Sequence, residues 1–442
     1  MKKQLYGTYH FLWAWLGARV QKHPSRHIFV IGITGTKGKT TTIELLNAIL
    51  EAGGKRTAIL SSLRMKIGDV SQKNPTGNSM PGRGAIQKFL RNARRADCGY
   101  ALVEVTSQGV VQHRHRFIDW NIGVLTNLHP EHIESHGSFE KYRAAKLGFL
   151  KYVLKRGGKV FLNRDDANYD FFASELADGG EKTVEFQRTD EQLDEHIERA
   201  ERMRERQDLG GSEAPSAAPQ FLFSDFNREN VAVAVAIAKQ IGIGDAVIEQ
   251  ALAAFTGVPG RMEFVVDGPY TAIVDYAHTP DSLVAAYEAA RKQLEPESEM
   301  APAARLICVL GTAGGGRDRW KRPEFGKIAA HYCDEVILTN EDPYDESPQA
   351  IVDEVAAGAA QVPYPKPRVE KILDRREALA HAIDLMDEGD IVIATGKGSE
   401  DWIHVAGGRK LAWSEKTTVQ ELLANKRIKK PATTPGWVRA GE

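Results

Sequence analysis

The stretch Gly32-Ile33-Thr34-Gly35-Thr36-Lys37-Gly38-Lys39-Thr40 limits what this chain can fold into more than any other. It follows the apolar, β-branched run Ile28-Phe29-Val30-Ile31 and opens onto a helical pattern from Thr41 to Leu50. Strand, glycine loop and helix in that order make a phosphate cradle. The glycines let backbone N–H groups turn inward, and the helix N-terminus adds partial positive charge. Lys39 is placed to neutralise β- and γ-phosphates, and Thr40 to put a hydroxyl on Mg²⁺. Ile33 stands where the usual G-x-x-x-x-G-K-[ST] spacing has its first glycine, so the strand-to-helix context carries the argument. Gly35, Thr36, Lys37, Gly38, Lys39, Thr40 and Thr41 are the candidate ATP contacts.

At 442 residues the chain is long enough for two or three domains. Its net charge of −1 gives no global bias toward nucleic acid or anionic membrane. Cys98, Cys308 and Cys333 lie far apart in sequence, form no metal-ligand pair, and read as plain thiols of a reducing cytosol. Met1-Lys2-Lys3 followed by apolar residues resembles a signal peptide superficially, but His10 and Arg19 interrupt it and no small-residue cleavage site follows. Leu5, Tyr9, Leu12, Leu16 and Val20 recur at helical spacing, which predicts a helix packing that stripe on the body. Membrane-surface contact of residues 1–20 is the lesser alternative. A cytoplasmic monomer is expected.

From residue 28 onward, apolar strand-like runs such as Tyr100–Glu104, Ile122–Thr126 and Lys159–Leu162 alternate with helical patterns. That is the pattern of an α/β fold with a mostly parallel sheet. Residues 1–27 read as a short helical segment, 28–259 as a P-loop domain, and 260–442 as a Rossmann-like α/β domain with strands near 272–275, 306–310, 335–339 and 391–394. Residues 189–219 read as a solvated helix running into a mobile loop.

Glu104 ends an apolar strand, where an acidic residue is the natural Mg²⁺ partner of Thr40; a solvated strand-end carboxylate is the plain alternative. His129, His132 and His136, with Glu131 and Glu134, follow the next strand and read either as a metal site or as a polar loop. By pattern alone Lys146 is a surface lysine.

Gly32 to Thr42, Glu104-Val105-Thr106-Ser107, Thr126-Asn127-Leu128, Glu131-His132, His136-Gly137 and Ala144-Ala145-Lys146 resemble the Mur ligase family in order and spacing. So do Asn163-Arg164-Asp165-Asp166, Asn227 with Asn230, Gly260-Arg261-Met262-Glu263, Val274 to Leu283, Gly315 to Pro323, Asn340-Glu341-Asp342-Pro343 and Thr395 to Glu400. The later motifs are similar to the branch that adds the third peptide residue in peptidoglycan synthesis. The resemblance spans about residues 28–425.

It implies joining of a carboxylate to an amine through an acyl phosphate, with ATP becoming ADP and phosphate. Lys39 would hold the γ-phosphate, Thr40 and Glu104 one Mg²⁺, and His132 with a carbamylated Lys146 a second. Asn227 would face the adenine, and Arg261 and Asp275 the ribose and phosphates, with His278 beside them. Thr106, Gln112 and Arg114 match positions that hold a muramoyl-peptide acceptor, and Ser79 and Met80 stand where the family usually has two threonines. Arg317 would take the α-carboxylate of the incoming amino acid and Glu400 its α-amine, with Glu341, Asp342, Tyr344 and Gly396 nearby.

Three departures stand out. Only about 27 residues precede the first strand, where the family carries a domain for the acceptor's UDP end. Glu341-Asp342-Pro343-Tyr344 replaces the Asp-Asn-Pro-Arg that selects meso-diaminopimelate, and Ser399 stands where histidine is usual. The leading expectation is an ATP-dependent ligase acting on a muramoyl dipeptide. A folylpolyglutamate- or cyanophycin-synthetase-like ligase, or a non-ligating nucleotide-binding partner subunit, are the alternatives. No nucleic-acid partner is expected.

Overall fold

Phe29–Thr34 forms β1, a strand buried almost throughout, as a continuous apolar run flanked by helices on both faces must be. The computed structural model describes residues 2–74, 78–82, 84–130, 136–208, 225–294, 304–316, 318–363 and 367–429, in two units, Met1–Thr256 and Gly257–Glu442.

In the first unit β1 is followed by β2 (Thr57–Leu60), β3 (Arg64–Ile67), β4 (Val70–Lys73), β5 (Tyr100–Glu104), β6 (Ile122–Leu125), β7 (Lys159–Asn163) and β8 (Thr183–Phe186). They make one sheet in the order β4-β3-β2-β5-β1-β6-β7-β8. Pairing is parallel from β2 to β8, and β3 and β4 add an antiparallel edge. β1 therefore lies between β5 and β6, so the loops leaving these three strands meet at one sheet edge. In open α/β sheets, ligands bind at that carboxyl edge. Gly32 serves packing here: a Cβ on it would lie 2.6 Å from Phe149 and 2.8 Å from Trp120.

The N-terminal helix Lys2–Val20 forms, but with its faces reversed from the expectation. The apolar stripe is exposed: Tyr9 by 43%, Leu12 by 54%, Leu16 by 43% and Val20 by 57%. Near its C-terminal end small residues meet the body, with Ala18 fully buried and Gly17 so close to Gly84 that a Cβ would come within 2.6 Å of its Cα, while Phe11 packs edge-on against His113 and Phe117. Backbones that approach this closely admit no large side chain, so size decided the orientation over hydropathy. The helix Glu191–Asp208 is likewise not wholly solvated; Leu193, Ile197 and Ala200 are buried, while its continuation at 209–224 lies outside the described residues.

The second unit holds β9 (Glu263–Asp267), β10 (Tyr270–Val274), β11 (Leu306–Leu310), β12 (Glu335–Leu338), β13 (Arg368–Lys371) and β14 (Ile391–Ala394). Their order is β13-β12-β11-β14-β10-β9, with only the β9–β10 pairing antiparallel. β15 (Trp402–Val405) and β16 (Arg409–Ala412) form a separate two-stranded sheet. The expectation of three plain thiols fails here: Cys308 and Cys333 form a disulfide, with Cα atoms 6.1 Å apart. The crossover helix Lys321–Tyr332 delivers Cys333 to the start of β12, directly beside β11. Only Cys98 is free, and it is buried. Among the described residues no helix is long and apolar enough to cross a membrane.

Candidate functional site

Between β1 and the helix Lys39–Ala52 the chain turns through Gly35 and Gly38, at φ of 154° and 77°. Both glycines are required by their neighbours. A Cβ on Gly35 would fall 1.8 Å from Thr126 Oγ1, and one on Gly38 would fall 2.1 Å from Asn230 Oδ1. The loop is pinned from both sides: Asn127 Oδ1 accepts from Lys37 N at 2.8 Å, and Thr126 Oγ1 donates to Lys37 O at 2.6 Å. Thr36 Oγ1 accepts from His129 N at 2.9 Å and lies 3.1 Å from Tyr142 OH. Lys39 Nζ curls over the turn and donates to Gly35 O at 3.0 Å and Thr36 O at 2.8 Å. The arrangement is a cradle of backbone amides with one cation at its lip.

Thr40 and Glu104 meet as the sequence suggests, with Thr40 Oγ1 3.5 Å from Glu104 Oε2 and both residues buried. Ser62, which the sequence reading missed, completes the group. Its amide donates to Glu104 Oε2 at 2.7 Å and its hydroxyl lies 3.2 Å from Thr40 Oγ1. Nothing local marks it: Ser61-Ser62 follows β2, and only the pairing of β2 with β5 brings it to Glu104. A hydroxyl and a carboxylate side by side next to a phosphate cradle are hard oxygen donors of the kind Mg²⁺ takes with nucleotide phosphates, so the residues present fit that ion. No group of three or more metal-capable side chains occurs among the described residues.

Lys146 is not a surface lysine. It is 1% exposed, donates to Gly35 O at 2.7 Å and Thr34 Oγ1 at 3.4 Å, and lies over the Tyr142 ring. The helix Phe139–Lys155 aims it there, with Tyr142 one turn earlier on the same face. His136 Nε2 sits 3.0 Å from Ser107 Oγ. His132, Glu131 and Glu134 lie outside the described residues, as does Arg317.

Of the acceptor-matched residues, Thr106 caps the short helix Ser107–Val111 by accepting from Gly109 N at 3.1 Å. Arg114 donates to Gln112 Oε1 and to Met80 O. The Met80 side chain is fully buried in the core against Gly109, and its carbonyl accepts from Arg114. Ser79 is buried beside it. Asn227 is buried and accepts through Oδ1 from Asn230, which in turn accepts from Thr42 Oγ1 at 3.1 Å.

In the second unit the matched residues gather at the carboxyl edge of its sheet. Asp275 follows β10 and accepts from Met262 N and Ala277 N, both at 2.7 Å. Burial pushes its carboxyl above the usual range, against the opposing pull of Arg261 and these amides. The Arg261 guanidinium stacks 4.2 Å from the Tyr276 ring, and His278 Nδ1 lies 2.9 Å from Tyr276 O. Lys397, fully buried, donates to Asp342 Oδ1 at 2.9 Å and Glu400 Oε2 at 2.6 Å. Glu400 also accepts from Tyr276 OH at 3.1 Å. Tyr344, at a φ of 51°, stacks on His404. Gly396 is required where it stands, since a Cβ there would meet Glu341 Oε2 at 2.6 Å.

Burial pushes the Glu341 carboxyl up to about 7, Lys397 and Arg375 pulling the other way, and its Oε2 takes no hydrogen bond among the described residues. The folded carboxyl thus holds its proton over a pH range where the unfolded one, at 4.5, has lost it. The contribution of this carboxyl to stability therefore falls as pH rises from about 4.5 to about 7, by roughly 1.4 kcal/mol per unit. Glu341→Gln is expected to remove that slope, gaining about 3 kcal/mol on wild type at pH 8 compared with pH 4.5. Denaturant unfolding at both pH values checks this, and identical slopes in the two proteins would refute it.

The profile of the Mur ligase middle domain matches residues 33–238, and that of the Mur ligase glutamate ligase domain matches residues 260–398. The chain is 35% identical to the UDP-N-acetylmuramoyl-L-alanyl-D-glutamate–2,6-diaminopimelate ligase of Syntrophomonas wolfei, over 93% of this chain and 82% of that protein. It is 34% identical to the UDP-N-acetylmuramyl-tripeptide synthetase of a Roseiflexus species, over 92% and 81%. In fold it is similar to a solved UDP-N-acetylmuramoyl-L-alanyl-D-glutamate–2,6-diaminopimelate ligase, with a TM-score of 0.58, 24% identity, and coverage of 90% and 79%. It is also similar to E. coli FolC in complex with ADP, with a TM-score of 0.62, 15% identity, and coverage of 95% and 94%.

Proposed function

The chain belongs to the Mur ligase family, and from that premise we propose that it is an ATP-dependent, ADP-forming ligase that adds an amino acid to a muramoyl dipeptide in peptidoglycan precursor synthesis. The observation that carries this reading is the glycine loop with Lys39 at its lip and the Thr40–Glu104 pair beside it. The acceptor's terminal carboxylate attacks the γ-phosphorus of ATP, the bond from that phosphorus to the β-phosphate oxygen breaks, and ADP leaves. The amino acid's neutral amine then attacks the acyl carbon, the bond to phosphate breaks, and the amine proton is released. Carboxylate, triphosphate and departing phosphate are all anionic, so the site must supply positive charge. Lys39 and the loop amides supply it from the chain. Mg²⁺, held by Thr40 and Glu104, would screen the phosphate charge further.

Asn227 is assigned to the adenine, and Arg261, Asp275 and His278 to the ribose and phosphates. Thr106, Gln112 and Arg114 are assigned to the acceptor; Glu341, Asp342, Tyr344 and Glu400 to the amino acid. The test is phosphate release with UDP-N-acetylmuramoyl-L-alanyl-D-glutamate and a panel of amino acids. Release that needs both acceptor and amino acid supports the reading. ATP binding without ligation of any acceptor would favour a partner-subunit role and overturn it.

The added amino acid is expected to be neutral or basic at its distal end, lysine first and meso-diaminopimelate disfavoured. Tyr344 stands at the position of the distal-carboxylate clamp, and Arg319 and Arg322 are held by Glu354, Arg322 also by Glu346 at 2.9 Å. A phenol offers one neutral hydrogen bond where a guanidinium offers a paired, charge-assisted one, a difference of roughly 1.5–3 kcal/mol. That is about ten- to a hundredfold in kcat/KM. Glu341 can take the distal ammonium, so ligation of lysine should weaken as pH falls below about 7 and that carboxyl gains its proton. Side-by-side kinetics with lysine, ornithine, alanine and meso-diaminopimelate check this; a preference for diaminopimelate overturns it.

A further inference from the structure

The N-terminal helix borders a pocket of about 250 Å³, whose other wall is formed by Pro81, Gly82, Gly84 and Gln87 together with Gln112, Arg114 and Arg116. Tyr9 and Trp13 present aromatic faces from the helix, and Arg114 and Arg116 present guanidinium groups from the other wall. Two polar atoms in this wall lack partners among the described residues. Gln87 is 3% exposed and donates through Nε2 to Phe117 O at 3.1 Å, but its Oε1 accepts nothing. Arg114 uses both terminal nitrogens internally and leaves Nε without an acceptor. Buried atoms of this kind are costly when left unpaired, and a molecule that pairs them recovers that cost. The chain that carries Arg114 and Arg116 is held under strain on either side: His113 and Phe117, which do not line the pocket, hold φ at 56° and 61°, a conformation bulky residues adopt only where surroundings enforce it. The pocket is contiguous with Gln112 and Arg114, the residues matched to the acceptor.

We propose that this pocket is the subsite for the glycosyl-phosphate end of the acceptor. The sugar ring lies against Tyr9 and Trp13, its phosphate on Arg114 and Arg116, and a sugar hydroxyl or amide N–H donates to Gln87 Oε1. The proposal rests on the ligase reading above for the identity of the acceptor. At about 250 Å³ the pocket is below the usual range for whole ligands and suits a single ring with its substituent. Flat aromatic walls with a few convergent polar groups recognise such a ring, and guanidinium groups are the preferred partners of phosphate. The same glycosyl phosphate is reached from a nucleotide-linked or a polyprenyl-linked acceptor.

The test begins with calorimetry on the full chain without ATP, using N-acetylmuramic acid and its 1-phosphate as probes. The 1-phosphate is expected to bind at least tenfold more tightly, and Trp13→Ala to weaken it about tenfold. In ligation, Trp13→Ala should raise the acceptor KM about tenfold while kcat and the amino-acid KM stay unchanged. Trp13 is partly exposed, and Tyr9→Ala provides a second variant should the first fold poorly. Equal binding of the two probes, or an acceptor KM that neither variant moves, overturns the subsite. Trp13-dependent binding of the 1-phosphate without ligation of any muramoyl dipeptide overturns the ligase reading and leaves the subsite standing. Binding of the UDP-linked and the detergent-solubilised polyprenyl-linked forms then identifies the source, the tighter of the two being the acceptor used.

Discussion

Lys39→Ala is expected to lower ligation by about 100- to 1,000-fold while leaving the fold intact. Removing one preorganised electrostatic contact from a site that stabilises developing charge typically costs that much. The Lys39 ammonium is the cation at the lip of the cradle, and in the absence of phosphate its partners are the carbonyls of Gly35 and Thr36. The side chain is only half-buried, and those carbonyls can turn to water when it is gone. The stability cost is therefore small, and the loss should appear in kcat/KM without a change in the circular dichroism spectrum. Phosphate release at the wild-type rate would remove the nucleotide site from this loop.

Lys146→Ala is expected to cost about 100-fold in ligation, and short carboxylates such as acetate are expected to restore part of it. The proposed reason is carbamylation, which turns a buried cation into an anion able to hold a second metal ion. Its position supports the reading. Nζ reaches the Gly35 carbonyl at 2.7 Å inside the phosphate loop. This variant also removes a buried side chain and the donor to Gly35 O, so it should be less stable, with loss of packing costing on the order of 2–5 kcal/mol. Rescue separates the two effects, because added acetate restores chemistry and not packing. Activity lost with no rescue by any small carboxylate, together with an unmodified lysine in a nucleotide-bound crystal structure, would refute carbamylation.

The phosphate loop, the strand before it and the helix after it were legible in about twenty consecutive residues, because a P-loop is a local device. Its glycines, lysine and threonine act through backbone they adjoin. Glu104 was legible for the same reason, standing at the end of an apolar strand in a fold that places strand ends together. Lys146 was not: an isolated lysine on a helix looks the same in sequence whether the helix turns it to solvent or to a loop 111 residues away. Ser62 was missed because its role depends on β2 lying beside β5, a pairing no local pattern states.

The sequence by itself determined the chemistry of the loop, the alternation that makes two α/β units, and the run of motifs that identifies the family. Only the tertiary structure decided which face of the N-terminal helix is buried, that Cys308 and Cys333 meet, and that Asn230 stands against Gly38. Local composition sets what a segment prefers within a few residues. Contacts between residues 25 to 192 positions apart depend on strand order and on how closely backbones approach, and at Gly17 and Gly84 that approach overrode hydropathy.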